Sequence, residues 1–306
     1  MGPSGLLQCK SHEPGRIELA QDQALAVGDL LRQTRMCGSV SAVFAEFAHM
    51  WTPIWNKHQD TPVDFWDDFI ANRIPLIAPP PSPLALSDIT IDAWLEVVRH
   101  KKVHTATGPD GISRLDLLRM PKQCTGNLVH LLNQVEQGLP WPPQLLVGLI
   151  SSLEKREDAR SAADYRPICV LSLIYRSWAS LRARQLLAWL IQCTPDSLIG
   201  SRPRKEAADV WFNIATAVED GRYENLPISG VSLDIQKCFN MLPRVPVFAI
   251  ARFLRLPDRV CIPWQRGLTH LQRRFVVSGL TSQAISSSTG FPEGDFVSVV
   301  AMYVVN

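Results

Sequence analysis

Between Ile74 and Leu86 the sequence IPLIAPPPSPLAL carries five prolines. No such run passes through a helix or the interior of a sheet, because each ring fixes φ at about −65° and removes an amide donor. The chain is therefore divided there. Residues 74–86 read as a Pro-rich linker, residues 1–73 as a helical N-terminal extension or spacer, and residues 87–306 as a larger unit. In the extension, Val43, Phe44, Phe47 and Trp51 recur on one side at helical spacing. After the linker, SDITIDAWLEVVRHKK predicts a helix with Ser87 or Asp88 as N-cap and a basic last turn.

The larger unit alternates strand and helix signals. TGPDGIS, Thr107 to Ser113, is a turn cluster followed by helical sequence through Leu132. LLVGLISSL and YRPICVLS predict two strands joined by a basic, mobile loop, EKREDARSAAD. IYRSWASLRARQLLAWLIQC predicts a helix with Ile174, Trp178, Leu181 and Ile191 inward and Arg176, Arg182 and Arg184 outside. KEAADVWFNIATAVEDGRY repeats the pattern, with Trp211, Ile214, Ala215 and Val218 on its apolar face. ISGVSLDIQKCFN reads as a short apolar strand ending in Asp234. PVFAIARFLRL reads as an amphipathic helix, RRFVVSGLTSQAISSS as a hairpin, and TGFPEGD as a turn entering the last apolar segment. Strands interleaved with helices place the chain in the α/β (α+β) class.

Composition narrows the function classes. With 306 residues, 46% hydrophobic and 20% charged, the chain has what a folded core needs, and disorder is excluded as its default. FVSVVAMYVV, the longest nearly unbroken apolar stretch, is about half of a bilayer-spanning helix, and no signal segment opens the chain. No membrane partner is expected, and the expected location is intracellular, cytoplasmic or nuclear. The seven cysteines include no CxxC and have no histidines at metal-ligand spacing, a pattern of reduced thiols. The net charge is only +2, yet Lys155 to Lys205 holds ten Lys/Arg against four Asp/Glu, a local excess suited to a polyanion.

A carboxylate at the end of a buried strand is costly unless it is paired or binds a cation, so Asp234 is a candidate metal ligand; capping of the following helix is the alternative. Nucleotidyl transfer places strand-end aspartates around two magnesium ions. Four segments, TGPDGIS, DYRPICVLSLIYRSWASLRARQL, VSLDIQKCFN and STGFPEGDFVSVVAM, stand in the order of successive blocks of one family. Over residues 87–306 the chain resembles the reverse transcriptases of non-LTR, LINE-like retrotransposons. The resemblance implies a reverse-transcriptase-like fingers and incomplete palm, RNA-directed DNA polymerase activity and Mg2+ as cofactor. The implied partners are an RNA template, a DNA primer and deoxynucleoside triphosphates.

Carried over by residue, the resemblance makes Asp234 the first catalytic, metal-binding aspartate and the Ile235 carbonyl a second metal ligand. Phe239 would be the aromatic gate against a 2′-hydroxyl, and Arg166 with Lys155 or Arg156 would hold the triphosphate. Gly294 would line the nucleotide site, with Pro292 and Glu293 on the template side. Two positions depart from the pattern: Glu293 stands where the family has glutamine, and Asn240 where many relatives have a second acidic residue. The family's tyrosine-alanine-aspartate-aspartate turn does not occur before Asn306. The resemblance therefore implies little or no polymerisation by these 306 residues alone. A non-catalytic, nucleic-acid-binding remnant is the alternative. On either reading, Asp234, Phe239 and the Glu293 turn are expected to face one cleft.

Overall fold

The computed structural model describes residues 39–200, 202 and 204–305. The reading of residues 1–38 as part of a helical extension lies outside these. Helix α1 (Val40–Trp55) starts where Ser39 accepts a hydrogen bond from the Ala42 amide at 3.3 Å. The expected stripe is present and runs further than the periodicity marked, with Val43, Phe47, Trp51 and Trp55 all buried. It packs on a sheet: the Phe47 and Trp55 rings lie 4.9 and 5.7 Å from the Phe275 ring. The described part of the N-terminal extension thus shares the core of the larger unit.

The sheet contains β1 (Val147–Glu154), β2 (Tyr165–Val170), β3 (Gln272–Val277) and β4 (Leu280–Thr281), in the order β2-β1-β3-β4. β1 and β2 form the expected antiparallel hairpin, with Leu149 opposite Val170 and Glu154 opposite Tyr165. β3 returns parallel to β1, with Val147 opposite Gln272. β3 turns into β4 through Ser278 and Gly279, both at positive φ, the tight connection whose twist matches paired strands. The architecture is mixed α/β.

Helices cover this sheet. After α2 (Val63–Arg73), the proline segment is laid against the protein: the Trp189 indole donates to the Ser82 carbonyl at 2.7 Å, and Arg259 donates to that of Leu86 at 2.7 Å. Helix α3 (Ile91–Arg99) is capped by Thr90 rather than by Ser87 or Asp88; Asp88 is instead ion-paired with Arg259 at 2.6 Å. Helices α4 (Arg114–Arg119), α5 (Lys122–Glu136) and α6 (Leu173–Leu190) follow. Ile174, Trp178 and Leu181 of α6 are buried as expected and Ile191, just past its end, is half-buried; of the three arginines expected outside, Arg184 is exposed, Arg176 is half-buried on backbone carbonyls, and Arg182 is buried. The reason is a partner on α5: Arg182 bonds the Glu136 carboxylate at 2.6 Å, and periodicity does not reveal a buried ion pair.

A larger correction concerns α7 (Ala207–Tyr223) and the segment after it. The face expected to turn inward is open: Trp211 is 71% exposed, Ile214 and Ala215 are exposed, and Val218 is half-buried. The expected strand ending at Asp234 does not form, and Val231 and Leu233 are more than 80% exposed. A strand exists only through backbone pairing with a neighbour, and among the described residues no strand pairs with this one. The chain then enters α8 (Cys238–Met241), α9 (Arg244–Phe253), α10 (Asp258–His270) and, beyond the sheet, α11 (Phe296–Val305). Among the described residues no helix is long and apolar enough to cross a membrane.

Candidate functional site

The turn from Gly290 to Asp295 is closely held. Gly290 has a φ of 78°, and a Cβ there would lie 2.3 Å from the Asn240 carbonyl oxygen, so only glycine fits. Two backbone bonds tie it to α8 and the residue beyond, Phe291 N–H to the Phe239 carbonyl at 2.7 Å and Gly290 N–H to the Leu242 carbonyl at 3.0 Å. Arg244 fastens the approach. Its guanidinium donates to the carbonyls of Gly290 at 2.8 Å, Ser287 at 2.6 Å, Leu268 at 3.0 Å and Thr289 at 3.3 Å, and to the Ser287 hydroxyl at 2.8 Å.

Helix α1 closes the other side. The Thr289 amide donates to the Trp55 carbonyl at 2.8 Å, the His58 amide to the Thr289 hydroxyl at 3.0 Å, and the Asn56 side chain accepts from the Ser288 amide at 3.0 Å. Neither Arg244 nor this part of the N-terminal extension was marked as site-forming by the sequence. Both act largely through main-chain acceptors and donors, which leave no periodic trace.

The turn forms one wall of an open cavity of about 370 Å³, whose lining includes Phe239, Pro292, Glu293, Gly294 and Phe296. Four of the sequence-chosen residues, Phe239, Pro292, Glu293 and Gly294, thus lie together, whereas Lys155, Arg166, Asp234 and Ile235 are not among the lining. The edge of the sheet borders it: the Cys169 amide donates to the Glu293 carbonyl at 2.9 Å, and a Cβ on Gly294 would lie 3.4 Å from Ile168. Arg166 precedes Ile168 by two residues on β2, hence on the same face, and is exposed. TGPDGIS docks on the other end of the hairpin, where the Ser172 hydroxyl donates to Asp110 at 2.5 Å and Arg176 donates to the Ala106 carbonyl.

The hairpin loop is fastened, not free. Arg156 bonds Asp164 at 2.6 Å, the Ala162 amide donates to Glu46 of α1 at 2.8 Å, and Lys155 Nζ donates to the Ala163 carbonyl at 2.7 Å. Asp164 organises the loop by accepting from the Arg160 and Ser161 amides, which hold its carboxyl down to about 2. Lys155 remains exposed beside these bonds.

Asp234 is absent from this cavity lining. It sits in the exposed segment before α8, next to Ile235, itself 65% exposed. Asp234 with the Ile235 carbonyl supplies one negative charge, and among the described residues no group of three or more His, Cys, Asp or Glu could hold a metal ion. As placed, these residues do not make a divalent-cation site by themselves. No family model matches the chain, and no curated protein matches it.

Asp295 follows the turn at the start of α11. It is 3% exposed, and neither carboxylate oxygen makes a hydrogen bond of good geometry, although the amides of the first helical turn and the Ser298 hydroxyl lie beside it. Burial pushes its carboxyl up to about 7, restrained by the Val297 and Phe296 amides, the Ser298 hydroxyl and the charge of Lys101. Lys101, 4.3 Å above the Phe296 ring, is itself pushed down to about 8 by burial and by Arg176 and Arg184. The native state therefore binds the Asp295 proton more tightly than the unfolded chain does. Between the usual aspartate range and pH 7 this group makes stability fall as pH rises, and the effect levels off above pH 7. Asp295→Asn is expected to remove that slope and to raise stability at pH 8, measured by denaturant unfolding across pH 4–8. An unchanged slope would show that Asp295 titrates normally.

Proposed function

We propose that this chain is the fingers and partial palm of a non-LTR-type reverse transcriptase, an RNA-directed DNA polymerase with Mg2+ as cofactor. Its partners on this reading are an RNA template, a DNA primer and deoxynucleoside triphosphates. One observation supports it above the others. Segments from β2, α8 and the Glu293 turn, far apart in sequence, are joined by backbone bonds around one cavity, and the resemblance assigns all three to nucleotide binding. The residues described here bind and orient. Arg166 presents an exposed guanidinium fork on the β2 face that meets the turn at Ile168, Phe239 gives the cavity an apolar wall, and the glycine turn presents backbone.

The exposed position of Asp234 favours a second reading, a nucleic-acid-binding chain without catalysis. Templated primer extension on an RNA template that an Asp234→Ala control abolishes supports the enzyme outright. Because little or no polymerisation is expected of these 306 residues alone, the two readings separate on the nucleotide. Triphosphate binding at this cavity supports the polymerase reading, and salt-sensitive nucleic-acid binding with no triphosphate affinity supports the binder. For the nucleotide site itself, Arg166→Ala is expected to weaken triphosphate binding by about 1.5–3 kcal/mol, the worth of a charge-assisted hydrogen bond. Lys155→Ala is expected to cost less, since that ammonium is exposed and already bonded to the loop backbone. Isothermal titration with a folded Arg166→Ala protein of unchanged affinity would remove Arg166 from the site.

A further inference from the structure

The two positions at which the sequence departs from the family pattern meet. Asn240, 2% exposed on α8, donates from its side-chain amide to the Glu293 carboxylate, and the Trp55 indole N–H donates to the Asn240 carbonyl oxygen at 2.8 Å. Tryptophan can only donate, so the oxygen of the Asn240 amide must face Trp55 and its nitrogen must face Glu293. The orientation of the relay is thereby fixed from α1 through α8 to the cavity. The Glu293 main chain is bonded to β2 at Cys169, the strand that carries Arg166. Burial pushes the Glu293 carboxyl up, while the Asn240 hydrogen bond and the charges of Arg166, Lys155 and Arg273 favour its charged form.

We propose that Asn240 and Glu293 work as one amide and carboxylate pair, aimed by Trp55, which holds a fixed negative charge opposite Arg166 and Lys155 and so sets how strongly the cleft favours highly charged phosphates. The proposal rests on the reading of this cleft as a nucleotide site. Physically, a carboxylate a few ångströms from bound phosphates opposes each added phosphate charge, by an amount on the order of tenfold in affinity per charge in a partly screened site. The cleft therefore gains less in passing from a nucleoside monophosphate to a triphosphate than its cations alone would give. Glu293 is a specificity-determining residue and Asn240 the positioning residue that acts through it.

The pair can be inverted without losing its bonds. In N240D/E293Q the new carboxylate can accept from both the Trp55 indole and the glutamine amide, whereas N240D alone sets two carboxylates against each other. Affinities of deoxyadenosine mono- and triphosphate, measured by titration calorimetry in EDTA for wild type, E293Q and N240D/E293Q, test the charge. In E293Q the triphosphate-to-monophosphate affinity ratio is expected to rise about tenfold or more, and in the double variant to move back toward wild type. An E293Q ratio equal to wild type overturns the proposal. Thermal melting of the same proteins with N240D at pH 8 tests the pair without any ligand. A lowered midpoint in N240D that the double variant recovers supports it; a double variant no more stable than N240D overturns it. Failure of every variant to bind nucleotide overturns the nucleotide reading and the assigned ligand together, and the melting series still decides the pair.

Discussion

Glu136→Ala is expected to lose about 3–5 kcal/mol of unfolding free energy, the range for breaking a buried ion pair from one side. The carboxylate has no exposed surface and is filled on both oxygens. Oε1 accepts from Arg182 Nε at 2.6 Å and the Trp178 indole at 2.9 Å; Oε2 accepts from Arg182 at 2.6 Å and Arg259 at 2.9 Å. Alanine would leave the Arg182 side chain, only 1% exposed, as an uncompensated charge between α5 and α6. The same site would strand an indole N–H, a further desolvation cost of about 1–3 kcal/mol in part included in that range. Denaturant titration with an unchanged m-value is the measurement, and a loss under about 1 kcal/mol would mean that water reaches Arg182. Replacing both partners by apolar residues, as in Glu136→Leu with Arg182→Met, is expected to recover much of the loss. Arg259 is the reason recovery stays incomplete, because it also bonds Glu136 while pairing with Asp88 at the rim.

Arg244→Ala is expected to cost at least about 3 kcal/mol, since a charged donor's hydrogen bond is worth about 1.5–3 kcal/mol and this one group makes five. The loss falls on one place. The carbonyls of Ser287, Thr289 and Gly290 would lose their common donor just where Gly290 N–H and Phe291 N–H are bonded to Leu242 and Phe239. The turn carrying Glu293 would then loosen, so both stability and nucleotide affinity should drop in this variant. Arg244→Lys is expected to rescue little, because an ammonium on a flexible stem cannot span acceptors that the planar fork reaches together. Unfolding and nucleotide titration on the same samples provide the check: lost stability with unchanged affinity would show that the turn keeps its shape without Arg244.

The sequence alone determined those elements whose cause is local. The α1 stripe, the β1 and β2 hairpin, the hairpin at Ser278 and Gly279 and the glycine turn at Gly290 follow from periodicity and from residues that tolerate positive φ. Sequence reasoning also chose Phe239, Pro292, Glu293 and Gly294, which line one cavity, because a turn motif carries its geometry in consecutive residues. What it could not decide was any relation made between distant segments. Whether Arg182 points to solvent depends on Glu136, 46 residues away, and whether VSLD becomes a strand depends on a neighbour with which to pair. Trp55, Asn240 and Glu293 form a relay only after α1, α8 and the turn converge. Local propensity sets which backbone shapes a segment can take. The tertiary structure selects among polar partners, because desolvation penalises a buried donor, acceptor or charge until a distant residue satisfies it.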